Sequence, residues 1–493
     1  MPPALSSPLF ATDFEVNTQP IGPDSAPKPL RVGLLGLGTV GAGTFAVLAR
    51  NQALIAARAG RPIHITLVAV RNTGRAARIV GQGMVLSSVP SIAQPRVSAT
   101  QARSGQAVML VNDPFAVVNH PDIDVVVEAI GGSTLAKALV LQAIAQGKHV
   151  VTANKALLAE HGAEVFAAAL SKGVIVAYEG AVAVSIPIIK ALREGLSANR
   201  VEWLAGIVNG TSNHVLSAMG QDGVGFEAAL RQAQALGYAE ADPAFDVEGT
   251  DAAHKLALLA SNAFGVHVPF DAIHVEGITQ LDASDMDCAA RLGMVVKLLA
   301  IAREAEQSLE LRVHPVLLPA DHLLAQVNGS MNAVMVKGDA SGVTMYYGAG
   351  AGGEQTGSAV IADLVDVARA SDLSAHQRVP YLGFAHEAMR SLPVQGIKQV
   401  QSCHCLRMTF KTASREQQSE QVSALKNLLT QHGLVVERCE VFALAESGGS
   451  AAVLLTQAAP EGQLHKALAA WAQQTEQSQA TAPVRVLRVG FGY

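Results

Sequence analysis

Residues 30–41 read LRVGLLGLGTVG, and an apolar stretch of helical character follows over 42–57. The run 30–35 predicts a short buried strand that passes through Gly36, Gly38 and Gly41 into a helix. A glycine turn of this spacing is weak evidence alone, but here a strand precedes it, a helix follows, and a second strand over 63–70 comes some twenty residues on. Gly36 permits the tight turn, Gly38 lets backbone approach a pyrophosphate, and Gly41 lets helix and strand pack closely. The pyrophosphate would rest on the unpaired N–H groups at the helix start, where Thr39 and Val40 stand. The reading is a Rossmann-type, dinucleotide-binding α/β domain.

The alternation of strands and helices continues. A strand over 124–130 runs into Gly131-Gly132, with Ser133 as the cap of the next helix. Another, over 148–152, closes on Ala153-Asn154-Lys155. Ligands of open α/β sheets gather at the carboxyl ends of strands, so Gly131, Gly132, Ser133 and Lys155 fall on the binding rim. The end of the second strand carries Arg71, Arg75 and Arg78, with no acid nearby to take ribose hydroxyls. Guanidinium groups suit a 2′-phosphate, so NADP(H) is expected, with some use of NAD(H).

After a strand over 174–178 the pattern changes and strict alternation stops, which suits a substrate or dimerisation domain, taken as 166–345. The segment 346–355, YYGAGAGGEQ, reads as a second glycine turn before a helix over 356–370. It is expected to return to the first domain, 29–165, and complete it over 346–385. A polar stretch near 390–400 reads as a linker. The tail, 400–493, reads as strand, helix, strand, strand, helix, strand, the order of a ferredoxin-like (ACT-like) module suited to regulation. Residues 1–28, rich in proline and without an apolar core segment, read as a disordered tail and not a signal peptide.

The densest chemistry lies in 237–255, GYAEADPAFDVEGTDAAHK. Glu240, Asp242, Asp246 and Glu248 sit in a segment broken by Gly237, Pro243 and Gly249, so it is neither regular helix nor central strand. From Asp251, apolar positions recur at helical spacing, which puts Asp251 and Lys255 one turn apart on one face. Such an acid-rich loop with an Asp–Lys pair can bind an ammonium group and move a proton; read alone, the stretch is better taken as a solvated charge run beside an ordinary helical ion pair.

Composition narrows the classes. Only 16% of residues are charged and 49% are apolar, which points to a folded globular enzyme. A net charge of −5 gives no reason to expect nucleic acid or an anionic membrane. No apolar run is long enough to span a bilayer. The cysteines, Cys288, Cys403, Cys405 and Cys439, are too sparse for a disulfide framework and fit a cytoplasmic protein. Cys403-His404-Cys405 lacks a second ligand pair for a metal.

Taken in order, GLLGLGTVG, TANKALL, YEGAVAVSIPII, VNGTSNHVL, LGYAEADPAFDVEGTDAAHKLALLA and YYGAGAGGEQTGSAV resemble homoserine dehydrogenases of the longer bacterial type, which carry an ACT-like tail. The resemblance covers about 30–385 well and the tail in outline. It implies interconversion of L-homoserine and L-aspartate 4-semialdehyde in threonine and methionine biosynthesis, by a homodimer or homotetramer. It assigns Lys255 as general acid/base, Asp251 as the substrate-binding acid one turn before it, and Glu240 and Asp246 to the substrate amino group. Lys155 reaches the reacting centre and is itself an alternative proton donor. Thr211 falls in the substrate loop, and Gly237, Gly350 and Gly352 line substrate or cofactor. Glu179, with the carbonyls of Val182, Val184 and Ile186, matches a monovalent-cation site, usually sodium. Two departures stand out: Val184-Ser185 replaces the family's smaller residues, and KTASREQQSE lacks the Gly and Pro of an ACT ligand loop. Competing readings are a phosphorylating semialdehyde dehydrogenase using Cys288 as nucleophile, and a cofactor-sensing regulator without catalysis.

Overall fold

The computed structural model describes residues 27–81, 84–88, 98–102, 107–410, 414–444, 449–476 and 484–490. The N-terminal stretch read as a disordered tail lies almost wholly outside them.

Strands β1 (Leu30–Leu35), β2 (Ile63–Ala69), β3 (Met84–Ser88), β4 (Ser98–Ala102), β5 (Ala107–Val111), β6 (Val125–Glu128), β7 (His149–Thr152) and β8 (Val176–Ala177) form one sheet. Its order is β3-β4-β5-β2-β1-β6-β7-β8. From β5 to β8 every pairing is parallel, and β3 and β4 add an antiparallel hairpin at the edge. Helices cover both faces, which is why the central strands read as continuous apolar runs and not as alternation.

On one face the helices Thr39–Arg50 and Gly353–Ala370 share a core with Leu30, Val32 and Leu34. They cross at backbone distance: a Cβ on Gly43 would lie 2.0 Å from the Gly353 carbonyl oxygen, and one on Gly357 would lie 2.5 Å from the Thr44 nitrogen. That crossing seats the segment after residue 349 on the nucleotide turn. The single helix expected over 42–57 is two, Thr39–Arg50 and Gln52–Ala59, because Asn51 leaves helical geometry with φ −112° and ψ 19°. The glycine turn expected over 346–355 is shorter, since Tyr346–Ala349 finish strand β14 (Gly342–Ala349) and only 350–352 form the turn. Cross-strand pairing with β13 (Met331–Gly338) decides this, and a single-strand reading cannot see it.

The second sheet adds β9 (Val201–Ile207), β10 (His274–Val275), β11 (Met294–Ala305) and β12 (Ser308–Pro319). The tail contributes β15 (Gln401–Phe410), β16 (Val436–Ala443), β17 (Ser450–Thr456), β18 (Ala459–Pro460) and β19 (Val484–Val489). With the helices Arg415–Gln431 and Glu461–Glu476 the tail has the βαββαβ order. It is not a detached module: β19 pairs in parallel with β12, Val316 opposite Arg488 and Leu317 opposite Val489. The middle and tail strands therefore make one sheet of 11 strands. The stretch read as a linker is pinned too, with Arg390 donating to Glu304 and to the Phe264 carbonyl. Of KTASREQQSE, residues 411–413 lie outside the described residues, and Ser414 caps the following helix with Gln417.

The Thr250–Phe264 helix is buried from Asp251 to Phe264 on every side. It lies between the second sheet and the Lys155–Lys172 helix of the first unit, inside one core that runs through both. The Asp–Lys pair of the sequence is thus an interior feature. Among the described residues no helix is long and apolar enough to cross a membrane.

Candidate active site

The site is assembled from four chain segments. After β9, Asn209 caps the Gly210–Asp222 helix, its Oδ1 accepting from the Ser212 amide at 2.7 Å. Its Nδ2 is then free to face the acid segment. It donates to Asp246 at 2.7 Å and to Asp251 Oδ2 at 2.8 Å, joining the two acids. Asp251 Oδ2 also accepts from Lys255 Nζ at 2.8 Å, and Lys255 Nζ donates a second bond to the Val208 carbonyl at 2.6 Å. Asp251 Oδ1 lies 2.8 Å from Lys155 Nζ. One buried carboxylate is therefore gripped by two ammonium groups, one per oxygen.

Lys155 stands at the start of its helix because β7 ends there and Asn154 caps it, accepting from the Leu157 amide at 3.1 Å. Asn154 Nδ2 donates to the Gly132 carbonyl at 2.7 Å. Beneath, buried Glu128 accepts from the amides of Ile130 and Gly131 and from the Thr152 hydroxyl. The two strand-end turns are thereby locked together, with Gly131 and Gly132 in the left-handed region at φ 73° and 72°. Ser133 occupies the N-cap of the Thr134–Ala145 helix but makes no capping bond. Its backbone is helical and not extended, which turns the hydroxyl from the first-turn amides.

The electrostatics follow from burial and these contacts. Burial alone would raise Asp251, but Lys255 and Lys155 outweigh it and hold the carboxyl well below the usual carboxylate range. Burial pushes Lys255 down, Asp251 pulls it up and Lys155 pushes it down again; the net shift is downward. Burial raises Asp246, against the Asn209 hydrogen bond.

The other expected residues divide. Thr211 donates to the Tyr238 carbonyl at 2.6 Å, which fixes the segment after Gly237. Glu240 is exposed and stands apart from the network; its carbonyl accepts from Gln234. Around Gly38 a Cβ would meet nothing within 4 Å, whereas one on Gly41 would come 2.1 Å from the Gly36 carbonyl. Gly350 packs on Asn332, Gly352 has φ 140°, and Gly353 lies against the Thr39 carbonyl, so this second turn adjoins the first. Arg71, Arg75 and Arg78 are exposed.

Both oxygens of buried Glu179 accept backbone amides, of Ile189 and Lys190, each at 2.9 Å. Its own amide donates to Asp363, a buried acid raised to about 8 by burial and by Glu179. The Ile186 carbonyl accepts from Ile188. Val184 takes φ 52°, a left-handed conformation costly for a β-branched residue. Among the described residues no cluster of His, Cys, Asp or Glu could hold a metal by side chains alone. Two cavities do not contain the lysine–acid network. One of about 400 Å³ lies between Glu160, Phe166 and Phe270; one of about 510 Å³ lies between Arg50, Glu179 and Lys190. Burial pushes the Cys288 thiol up to about 11, the opposite of what a nucleophile needs.

Asn209, Glu128, Thr152 and Asn154 were not singled out from sequence. Asn209 and Asn154 each carry a cap signature, a polar residue just before a helix, but their second contacts cross tens of residues and leave no local signal.

A dinucleotide-binding sheet whose rim meets a buried acid held by two lysines defines a nicotinamide-dependent oxidoreductase. Sequence models described as "Homoserine dehydrogenase, NAD binding domain" and "Homoserine dehydrogenase" match residues 36–179 and 187–365. A homoserine dehydrogenase of Pseudomonas aeruginosa is 53% identical over 78% of this chain and 82% of its own length. That of Neisseria gonorrhoeae is 43% identical over 90% and 95%. The crystal structure of a homoserine dehydrogenase from Thiobacillus denitrificans superposes with a TM-score of 0.82 at 46% identity, covering 94% of this chain and 99% of that one. The chain belongs to the homoserine dehydrogenase family, NAD(P)-dependent oxidoreductases of amino-acid biosynthesis.

Proposed function

We propose that the Asp251–Lys255–Lys155 cluster carries the interconversion of L-homoserine and L-aspartate 4-semialdehyde, with NADP(H) as the preferred cofactor. The observation that carries this reading is the one carboxylate shared by two ammonium groups beside the strand-end rim. A bound nicotinamide supplies or takes the hydride. The chain's own residues handle the proton and the amino acid. Reduction of an aldehyde leaves charge on oxygen, and a lysine moved toward neutrality by burial gives up a proton more readily. Lys255 is such a lysine, and Asp251 holds it in place. Lys155, less buried, acts in concert at the mouth of the site. Asp246 and Asp251, joined through Asn209, offer carboxylate to the substrate ammonium. Glu240, exposed on the adjoining loop, reaches the same group if the loop closes on substrate.

The arginines after β2 support a 2′-phosphate on the adenosine ribose. Glu179, Val182, Val184 and Ile186 would hold a monovalent cation by carbonyls. The strained Val184 backbone supports a loop shaped for such a ligand and not for its own stability. Exposed Val343 and Tyr347 on the edge strand β14 support a homodimer or homotetramer. The βαββαβ tail supports an ACT-like regulatory role.

Lys255→Ala is expected to lower kcat by about 10²–10⁴ with cofactor affinity kept. Turnover near wild type rejects the assignment. A steady-state comparison of NADP with NAD, with and without sodium and threonine, tests the cofactor, the cation and the tail.

A further inference from the structure

We propose that Arg488, in the last strand of the tail, is a positioning residue for Asp246 and Asp251, acting through Glu276. This rests on the reading of those two acids as substrate-binding.

The path is short and made of direct contacts. Arg488 is clasped by two carboxylates. Its Nη1 and Nη2 lie 2.7 and 2.9 Å from the Glu276 oxygens; its Nε and Nη2 lie 2.6 and 3.0 Å from those of Glu461. Arg488 is 8% exposed and Glu461 1%, so that side of the clasp is shielded; the Glu276 side chain is 42% exposed and is held by both oxygens against the fixed guanidinium. The Arg488 backbone is fixed as well, since β19 lies on β12 at this residue.

Glu276 belongs to the segment after β10. Its amide donates to the Val313 carbonyl at 2.7 Å. The next two residues press on the acid turn. A Cβ on Gly277 would lie 2.4 Å from the Val247 carbonyl oxygen and 2.5 Å from the Glu248 Cα, and the Ile278 amide donates to the Val247 carbonyl at 2.8 Å. Val247 ends the one-turn helix that carries Asp246, and Gly249, at φ 88°, starts the helix that carries Asp251. Val275 and Val313 also pack on Gly249, where a Cβ would lie 3.1 and 3.3 Å from their methyl groups. The segment 275–278 is therefore a wedge beneath the turn between the two acids, and Arg488 holds the wedge from 212 residues away. A shift in the wedge changes the spacing of Asp246 and Asp251 around Asn209 and leaves the nucleotide turns untouched.

The test uses full-length Arg488→Lys and Glu276→Gln. The first keeps the charge but loses the fork that spans two carboxylates. Thermal melting checks that both fold. Expected results are faster amide hydrogen exchange over 246–251 and a KM for homoserine raised about 3- to 30-fold, with kcat and the NADP(H) dissociation constant within about twofold. Unchanged exchange at 246–251 overturns the proposal whatever the kinetics. A parallel loss of cofactor affinity also overturns it, because that is the mark of general loosening. Faster exchange with unchanged KM keeps the clasp and rejects the reading of the two acids. If the Arg488 variant does not fold, Gly277→Ala presses on Val247 directly and must show the same pattern with the tail intact; its absence overturns the proposal.

Discussion

Asp251 answers two lysines with two oxygens, and each lysine changes what the other can do. Its carboxylate raises the affinity of Lys255 for a proton, while Lys155 and burial lower it. Asp251→Asn removes the only one of these influences that favours the charged lysine strongly. Lys255 in that variant therefore loses its proton at a lower pH than in the wild type. With Lys255 as the proposed proton donor, aldehyde reduction needs it protonated, so the alkaline limb is expected to move to lower pH in a rate–pH profile. A limb that stays in place rejects Lys255 as the donor. The spacing of Asp251 and Lys255 was legible in the sequence because four residues make one helical turn. Asn209 was not, because its bonds to Asp246 and Asp251 span 37 and 42 residues. Glu240, in the segment that the sequence singled out, is exposed and lies outside the hydrogen-bonded network.

The glycine turn after β1 is the element where local sequence and local geometry agree most closely. Its two inner glycines differ in what they permit. A methyl group at Gly41 collides with the Gly36 carbonyl at 2.1 Å, inside the fold; one at Gly38 meets nothing within 4 Å. Gly41→Ala is expected to destabilise the protein by about 1–3 kcal/mol, read in denaturant melts. Gly38→Ala is expected to melt as the wild type does yet, if the open space at Gly38 takes the pyrophosphate, to bind NADP(H) roughly tenfold or more weakly. Equal cofactor affinity in Gly38→Ala rejects the phosphate site. Strand, turn and helix could be read here because they are contiguous. The end of β14 could not, because Tyr346–Ala349 become strand only by pairing with Met331–Val334. The break at Asn51 and the helix crossing at Gly43 and Gly357 likewise depend on a partner more than 300 residues along the chain or on packing against the sheet.

At the scale of the molecule, the tail's internal order was readable from its alternating patterns, but its attachment was not, since a parallel pairing of β19 with β12 is decided by side chains far apart in sequence. That attachment is held by charge. Burial would raise Glu461, but His404 and Arg488 hold its carboxyl well below the usual range, and Arg488 itself is raised by Glu276 and Glu461 against its burial. A carboxylate depressed in the folded state gives stability that is present above its unfolded value, about 4.3, and that is lost as pH falls through and below it. Glu461→Gln leaves the Arg488 fork half unmatched, and breaking such a buried pair costs about 3–5 kcal/mol at neutral pH. The variant no longer has this carboxylate to protonate, so its own stability depends less on pH. Urea unfolding followed by Trp471, buried in the tail core, is therefore expected to show a wide stability gap between wild type and Glu461→Gln at pH 7. The gap should narrow steadily as the pH is lowered past about 4. A gap of constant size across that range would mean that packing and sheet pairing, not the charge clasp, join the tail to the catalytic body.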